Sequence, residues 1–128
     1  FSAGCSDDEE TMTAIKECYE EYGYVMDTHT AVAKSVYDKY VKETGDTTKT
    51  VIASTASPFK FNQSVLIALN GNAKVAGKDE FTLLSELSEK SGMKIPASLG
   101  ELKSKPRIFE SVCEKDEMID IVSDFLQV

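Results

Sequence analysis

The residue types able to do chemistry are few in this sequence, and most lie in its first half. There is one histidine, His29, two residues after Asp27. A hydroxyl-rich run follows, Ser54-Thr55-Ala56-Ser57-Pro58, with Lys60 two residues beyond the proline. A Ser/His/Asp triad needs a nucleophile elbow or a similar context, and no GxSxG occurs; Asp27 is most simply an N-cap. Cys5, Cys18 and Cys113 are odd in number and widely spaced, and no CxxC or Cys/His cluster is present. Zinc is therefore not expected, nor is any other metal site. No Gly-rich loop leads into a helix as a phosphate cradle would; Gly71-Asn72-Ala73 reads as a turn. The carboxylate pairs at Asp7–Glu10 and Glu20-Glu21 read as solvated helix faces.

The hydroxyl run matters because of what precedes it. Residues 48–54 read TKTVIAS, whose β-branched centre suits a short buried strand. Ser57-Pro58 then reads as a cap followed by proline in the first turn of a helix. Ligands of open α/β sheets bind beyond the carboxyl ends of strands, and helix N-termini offer free N–H groups to anions. The simpler reading is that these hydroxyls only cap the helix.

The elements that must position these residues are mostly helical. Ser6-Asp7-Asp8-Glu9 has capping-box form and opens a helix to about Tyr22, closed by Gly23. Asp27 or Thr28 caps a second helix with a stripe of Val32, Val36 and Tyr40, ended by Gly45. The helix after Ser57 carries Phe61, Val65, Leu66 and Leu69 and stops at Asn70-Gly71. Asp79 begins another, with Phe81, Leu84 and Leu87, closed by Gly92. A short helix is expected near Ala97–Lys103 with Pro106 as its breaker, then an extended piece over 107–112. A last helix carries Met118, Ile119, Val122, Phe125 and Leu126.

This pattern predicts one unit over residues 1–128, predominantly helical, with one clear buried strand. A lone strand cannot satisfy its own backbone groups. Two explanations stay open: a piece of a larger α/β sheet whose other strands lie upstream, or a small helical domain with a buried extended connector. The start at Phe1 rather than Met fits a tag-trimmed chain, a processed precursor or a segment of a longer protein, and the pattern favours the last.

Composition bounds the partners. The chain has 128 residues, 41% hydrophobic and 28% charged, which suits one globular domain. Its net charge of −8 includes a single arginine, Arg107, and opposes binding to nucleic acid or to anionic membranes. No apolar stretch is long enough to span a bilayer and no signal peptide is evident. With its unpaired cysteine set, a reducing, cytoplasmic setting is expected.

Two segments resemble the threonine synthase family. Residues 51–61, VIASTASPFKF, are similar to the family segment that typically reads ATAHPAKF, and Asp27-Thr28-His29-Thr30-Ala31-Val32-Ala33 looks like its DPHTAVG. The tail with Pro96, Leu99, Leu102, Lys105 and Arg107 before a final amphipathic helix resembles the family's C-terminus. The resemblance spans nearly the whole chain but only about the last quarter of a complete enzyme. Thr28 stands where proline is usual, Ala33 where glycine is usual, Ser57 where histidine is usual, and Phe59 replaces a small residue.

The resemblance implies a fold-type II pyridoxal phosphate (PLP) lyase that converts O-phospho-L-homoserine and water to L-threonine and phosphate, in threonine biosynthesis. It implies that Thr55 faces the pyridine nitrogen as a neutral hydroxyl in place of a carboxylate, which leaves the nitrogen unbiased toward protonation. His29 is a candidate for the site mouth, or a first-turn residue that bonds locally. Lys60 is a candidate for attracting substrate phosphate, or a solvent-facing residue, and Ser57 a further site-lining candidate. The Schiff-base lysine is expected in a Ser/Phe-Lys-Asp context, which no lysine here has, and the phosphate-binding loop is absent too. The expectation is therefore that no catalytic residue lies in this segment, and that the isolated chain holds no PLP and turns over no substrate. Two alternatives stand beside it: an independent helical interaction module, and a degenerate, non-catalytic paralogue. Surface exposed by truncation is expected to drive self-association, centred on residues 48–54.

Overall fold

The computed structural model describes every residue except Phe109 and Glu110. Its elements are α1 (Asp8–Tyr22), α2 (Thr28–Thr44), a 3-10 turn Pro58–Phe61, α3 (Asn62–Asn70), a 3-10 turn Asn72–Lys74, α4 (Glu80–Ser91), α5 (Ala97–Gly100), 3-10 turns at Glu101–Ser104 and Lys115–Glu117, and α6 (Met118–Leu126). Among the described residues there is no strand. Helix α1 packs between α2 and α3, and α3 packs in turn on α4.

The helix ends follow local chemistry. Asp7 caps α1: its carboxylate accepts from the Glu10 N–H at 2.8 Å, and Glu10 returns an acceptor to the Asp7 N–H at 2.9 Å. The capping box thus starts one residue later than the Ser6 start expected from sequence, because Ser6 is engaged elsewhere. Its hydroxyl donates to Ser35 Oγ on α2 at 2.9 Å. Three acidic residues in the first turn of α1 also suit the positive end of the helix dipole. At the other end Gly23 has φ 67°, a left-handed conformation that a Cβ would strain. Gly45 and Gly92 close α2 and α4 in the same way.

The core is built from Ile15, Val65, Leu66, Val75, Leu83 and Leu87, all at most 1% exposed. In α1 the buried set is Thr11, Ala14, Ile15 and Cys18, one face at helical spacing. The matching face of α2 is Thr30, Ala31 and Ser35, all small, which lets α1 approach closely. The expected stripe of Val32, Val36 and Tyr40 lies on the neighbouring face, and with residues 50–53 it walls a groove of about 540 Å³. Lys39 reinforces the α1–α2 contact, with Nζ 2.6 Å from Glu10 Oε1 and 3.0 Å from the Cys5 carbonyl.

Two elements differ from expectation. In place of the expected buried strand, residues 48–54 form a mostly exposed connector without regular secondary structure; Val51 is 91% exposed. A β-branched run favours extension, but a strand is made by ladder partners, and no other described segment supplies one. The predominantly helical part of the prediction holds and the α/β part does not. Second, the helix after Ser57-Pro58 is split. A 3-10 turn occupies Pro58–Phe61, and α3 begins at Asn62 after Phe61 leaves helical geometry at φ −127°, ψ 39°. Phe59, 4% exposed, anchors that turn in the core.

The extended piece expected over 107–112 falls partly on Phe109 and Glu110, outside the described residues. The last helix forms as expected, but its apolar side chains Ile119, Val122 and Phe125 are exposed.

Candidate functional site around the start of helix α2

The first half of the sequence converges at one place, the N-terminus of α2. Asp27 is the N-cap and is 1% exposed. Its Oδ1 accepts from the His29 N–H at 2.9 Å and the Thr30 N–H at 3.3 Å, while Oδ2 accepts from the Thr30 hydroxyl. Burial, the largest single influence, pushes its carboxyl pKa up. The Thr30 hydroxyl, the two backbone N–H groups and His29 together outweigh it, so the pKa is lowered below the ordinary aspartate value. Asp27 is thus a buried anion whose donors are supplied by the helix it starts.

Thr30 carries the connection further. Its Oγ1 lies 3.0 Å from Ser54 Oγ, across 24 residues of chain. Thr30 has one hydroxyl proton, and the carboxylate holds it; the hydrogen between the two hydroxyls therefore comes from Ser54. The chain thus runs from Ser54 to Thr30 to Asp27, tying the 48–57 connector to α2.

The residues singled out from sequence divide around this chain. His29 is exposed, with Nδ1 3.4 Å from Asp27 Oδ1 and its ring 4.9 Å from that of Phe61, tilted by 50°. Its backbone N–H is the locally bonded group, and its ring borders the groove walled by α2 and residues 50–53. Lys60 is exposed, with Nζ 5.5 Å from the Phe61 ring centre. Phe61 therefore brings His29 and Lys60 to one neighbourhood. Ser57 caps the 3-10 turn, accepting from the Phe59 N–H at 3.3 Å. Thr55 is exposed, and among the described residues its hydroxyl has no hydrogen-bond partner. Thr30 and Ser54 were missed as site residues. The available signal was the Asp-x-x-Thr pattern at 27 and 30, which recurs at 79 and 82, where Asp79 caps α4 with the same three bonds.

Among the described residues no group of three or more His, Cys, Asp and Glu side chains is placed to hold a metal ion. None of the helices described is long and apolar enough to cross a membrane. A second groove, between α1 and α2, is lined by Asp7, Glu10, Asp38, Lys39 and Lys42, and the Glu10–Lys39 ion pair lies at its wall.

Comparison with known sequences decides the family. A family model described as threonine synthase, C-terminal, matches residues 30–125. The chain belongs to the threonine synthase C-terminal family. It is 33% identical over 118 residues, 91% of the chain, to threonine synthase-like 1 of Mus musculus, of which that region makes up 15%. It is 41% identical over 63 residues, 48% of the chain, to threonine synthase of Schizosaccharomyces pombe, covering 12% of that protein. Human threonine synthase-like 1 is 30% identical over 115 residues, 90% of the chain and 13% of that protein. The chain thus spans less than a sixth of the length of these curated relatives. The threonine synthase family match begins at Thr30 and covers the Thr30–Ser54 tie and the hydroxyl run, with Asp27 and His29 just ahead of it.

Proposed function

We infer that this chain is the C-terminal part of a PLP-dependent lyase that forms L-threonine and phosphate from O-phospho-L-homoserine and water, and that its own contribution is one cofactor contact, Thr55. The family match over residues 30–125 supports the parent activity. The site assignment comes from the resemblance of residues 51–61 to the family segment, and the exposed Thr55 hydroxyl, which has no hydrogen-bond partner among the described residues, is free to serve it. PLP supplies an electron sink for the carbanion chemistry of such a lyase.

The residues present fit one edge of that cofactor. Thr55 offers a neutral hydroxyl, able to donate to or accept from a ring nitrogen without fixing its charge. Its neighbour Ser54 is already engaged with Thr30. The sequence holds no phosphate loop and no lysine in the expected context, so on this reading both would be supplied by other parts of the parent. His29 and Lys60, both beside Phe61, put two basic side chains near the hydroxyl run, where a phosphorylated substrate would gain from them.

The test is phosphate release and threonine formation from O-phosphohomoserine by the complete polypeptide, with Thr55→Val as the site variant. Activity that falls at least tenfold in Thr55→Val, with folding unchanged, is the expected result. Full activity in that variant would remove Thr55 from the site. A second reading has its own support in the likeness to threonine synthase-like 1 over about nine-tenths of the chain and in the departures at Thr28, Ala33 and Ser57. It holds that the parent no longer makes threonine. Cofactor binding without threonine formation is the outcome that would favour it.

A further inference from the structure

The connector that carries Thr55 is sparsely held. At its start the Tyr40 hydroxyl donates to Asp46 Oδ2 at 2.9 Å, and the Thr48 N–H donates to Asp46 Oδ1 at 2.9 Å. At its end Ser57 caps the turn into α3. Between Thr48 and Ser57, among the described residues, one hydrogen bond reaches a different element: the Ser54–Thr30 contact at 3.0 Å. It occurs at the residue next to Thr55. Ser54 is itself exposed, yet its partner Thr30 is 6% exposed and Asp27, at the far end of the chain of bonds, 1% exposed. An exposed segment therefore hangs from a buried carboxylate.

We propose that Asp27, acting through the Thr30 hydroxyl and Ser54, is the positioning device that fixes where Thr55 is presented to its ligand. The proposal rests on the reading of Thr55 as the cofactor contact. A plain helix cap would need only the two backbone N–H bonds to Oδ1. The second oxygen, Oδ2, is instead turned to the Thr30 side chain. That bond orients the Thr30 lone pairs toward Ser54. A hydroxyl that donates to a carboxylate is also a stronger acceptor, because bonds in a chain polarise one another. The Ser54 hydroxyl is held on Thr30, while that of Thr55, the next residue, has no partner among the described residues. The exposed Asp79–Thr82 pair has the same local bonds, and among the described residues no distant one is hydrogen-bonded to Thr82. Burial and the tie to Ser54 are thus what distinguish the Asp27 device from an ordinary cap.

The experiment uses this chain and reads 15N relaxation at residues 53–56 in Thr30→Val, Ser54→Ala and Thr30→Ser. In the two variants that break the tie, backbone order parameters there should fall from the rigid range of about 0.85 to below about 0.6. Thr30→Ser should restore them. The double variant should loosen the segment no further than either single one, since both remove the same bond. The helicity of α2 should persist, because the bonds to Asp27 Oδ1 remain. Should Thr30→Val fail to fold, Ser54→Ala, at an exposed site, still decides the matter. Unchanged order in Ser54→Ala would overturn the tether. In the complete polypeptide, Ser54→Ala should weaken PLP binding about as Thr55→Val does. If Ser54→Ala loosens the segment and Thr55→Val leaves PLP binding unaltered, the tether exists but does not serve Thr55, and the proposal fails on that separate ground.

Discussion

Truncating Asp27 to alanine should destabilise the chain more than any other single cap removal. The substitution deletes the acceptor of two backbone N–H groups at the start of α2. Losing an N-cap costs about 0.5–2 kcal/mol in general. It also leaves the Thr30 hydroxyl, 6% exposed, without its acceptor, and an orphaned buried donor costs about 1–3 kcal/mol. Ser54 remains in reach and offsets part of that second loss. The expected total is roughly 3 kcal/mol, or a fall in Tm of about 10 °C for a domain of this size. Urea unfolding followed by circular dichroism measures it, with Asp79→Ala as the internal control. Asp79 makes the same bonds at an exposed helix start, so its loss should be smaller. A pH series sharpens the test. The folded-state pKa of Asp27 lies below the ordinary aspartate value. Its stabilising share is therefore fully present above about pH 5 and is lost as pH falls through the depressed folded value. The stability gap between wild type and Asp27→Asn should narrow correspondingly on acidification. Equal losses for Asp27→Ala and Asp79→Ala, or a gap that does not change with pH, would refute the reasoning.

Other outcomes follow from the core and the thiols. Leu87→Ala removes a side chain that is 0% exposed and should cost about 3 kcal/mol, read as a lower urea midpoint at unchanged slope. A thiol reagent should label Cys5, which is exposed, much faster than Cys18, which is buried and whose pKa burial pushes up. Labelling of Cys18 at the rate of Cys5 would mean that the α1 interface opens readily.

Much of the fold was legible because its boundaries are local. Asp7, Asp27 and Asp79 begin helices, and Gly23, Gly45 and Gly92 end them, through bonds and backbone angles set within a few residues. The failures share a cause, which is dependence on distant partners. Thr50-Val51-Ile52 has strand propensity, but among the described residues no strand pairs with it. The face of α2 that packs is Thr30, Ala31 and Ser35, chosen by the need for close approach to α1, whereas hydrophobicity pointed to Val32, Val36 and Tyr40. Ser57 was correctly read as a cap, yet the helix it opens is a 3-10 turn with Phe59 buried, and α3 starts only after Phe61. Among the candidates, His29, Ser57 and Lys60 are suggested by residue type and position and by the family resemblance, and Thr55 by the family resemblance alone. The link from Ser54 to Thr30 is not legible in this way, because it joins positions 24 residues apart.

The order of helices also shapes how the chain acquires its structure. Each of α1, α2 and α4 starts from a carboxylate that bonds within its own first turn, so these ends can form before any long-range contact. The packing pairs α1–α2 and α3–α4 join neighbours in sequence, and α1–α3 closes the arrangement. Such predominantly short-range topology favours rapid folding, in the microsecond to millisecond range of helical domains. The Thr30–Ser54 bond needs α2 complete and the connector drawn back across it. Formation of this bond is accordingly expected after the folding barrier, so that mutations in it accelerate unfolding and leave the folding rate nearly untouched.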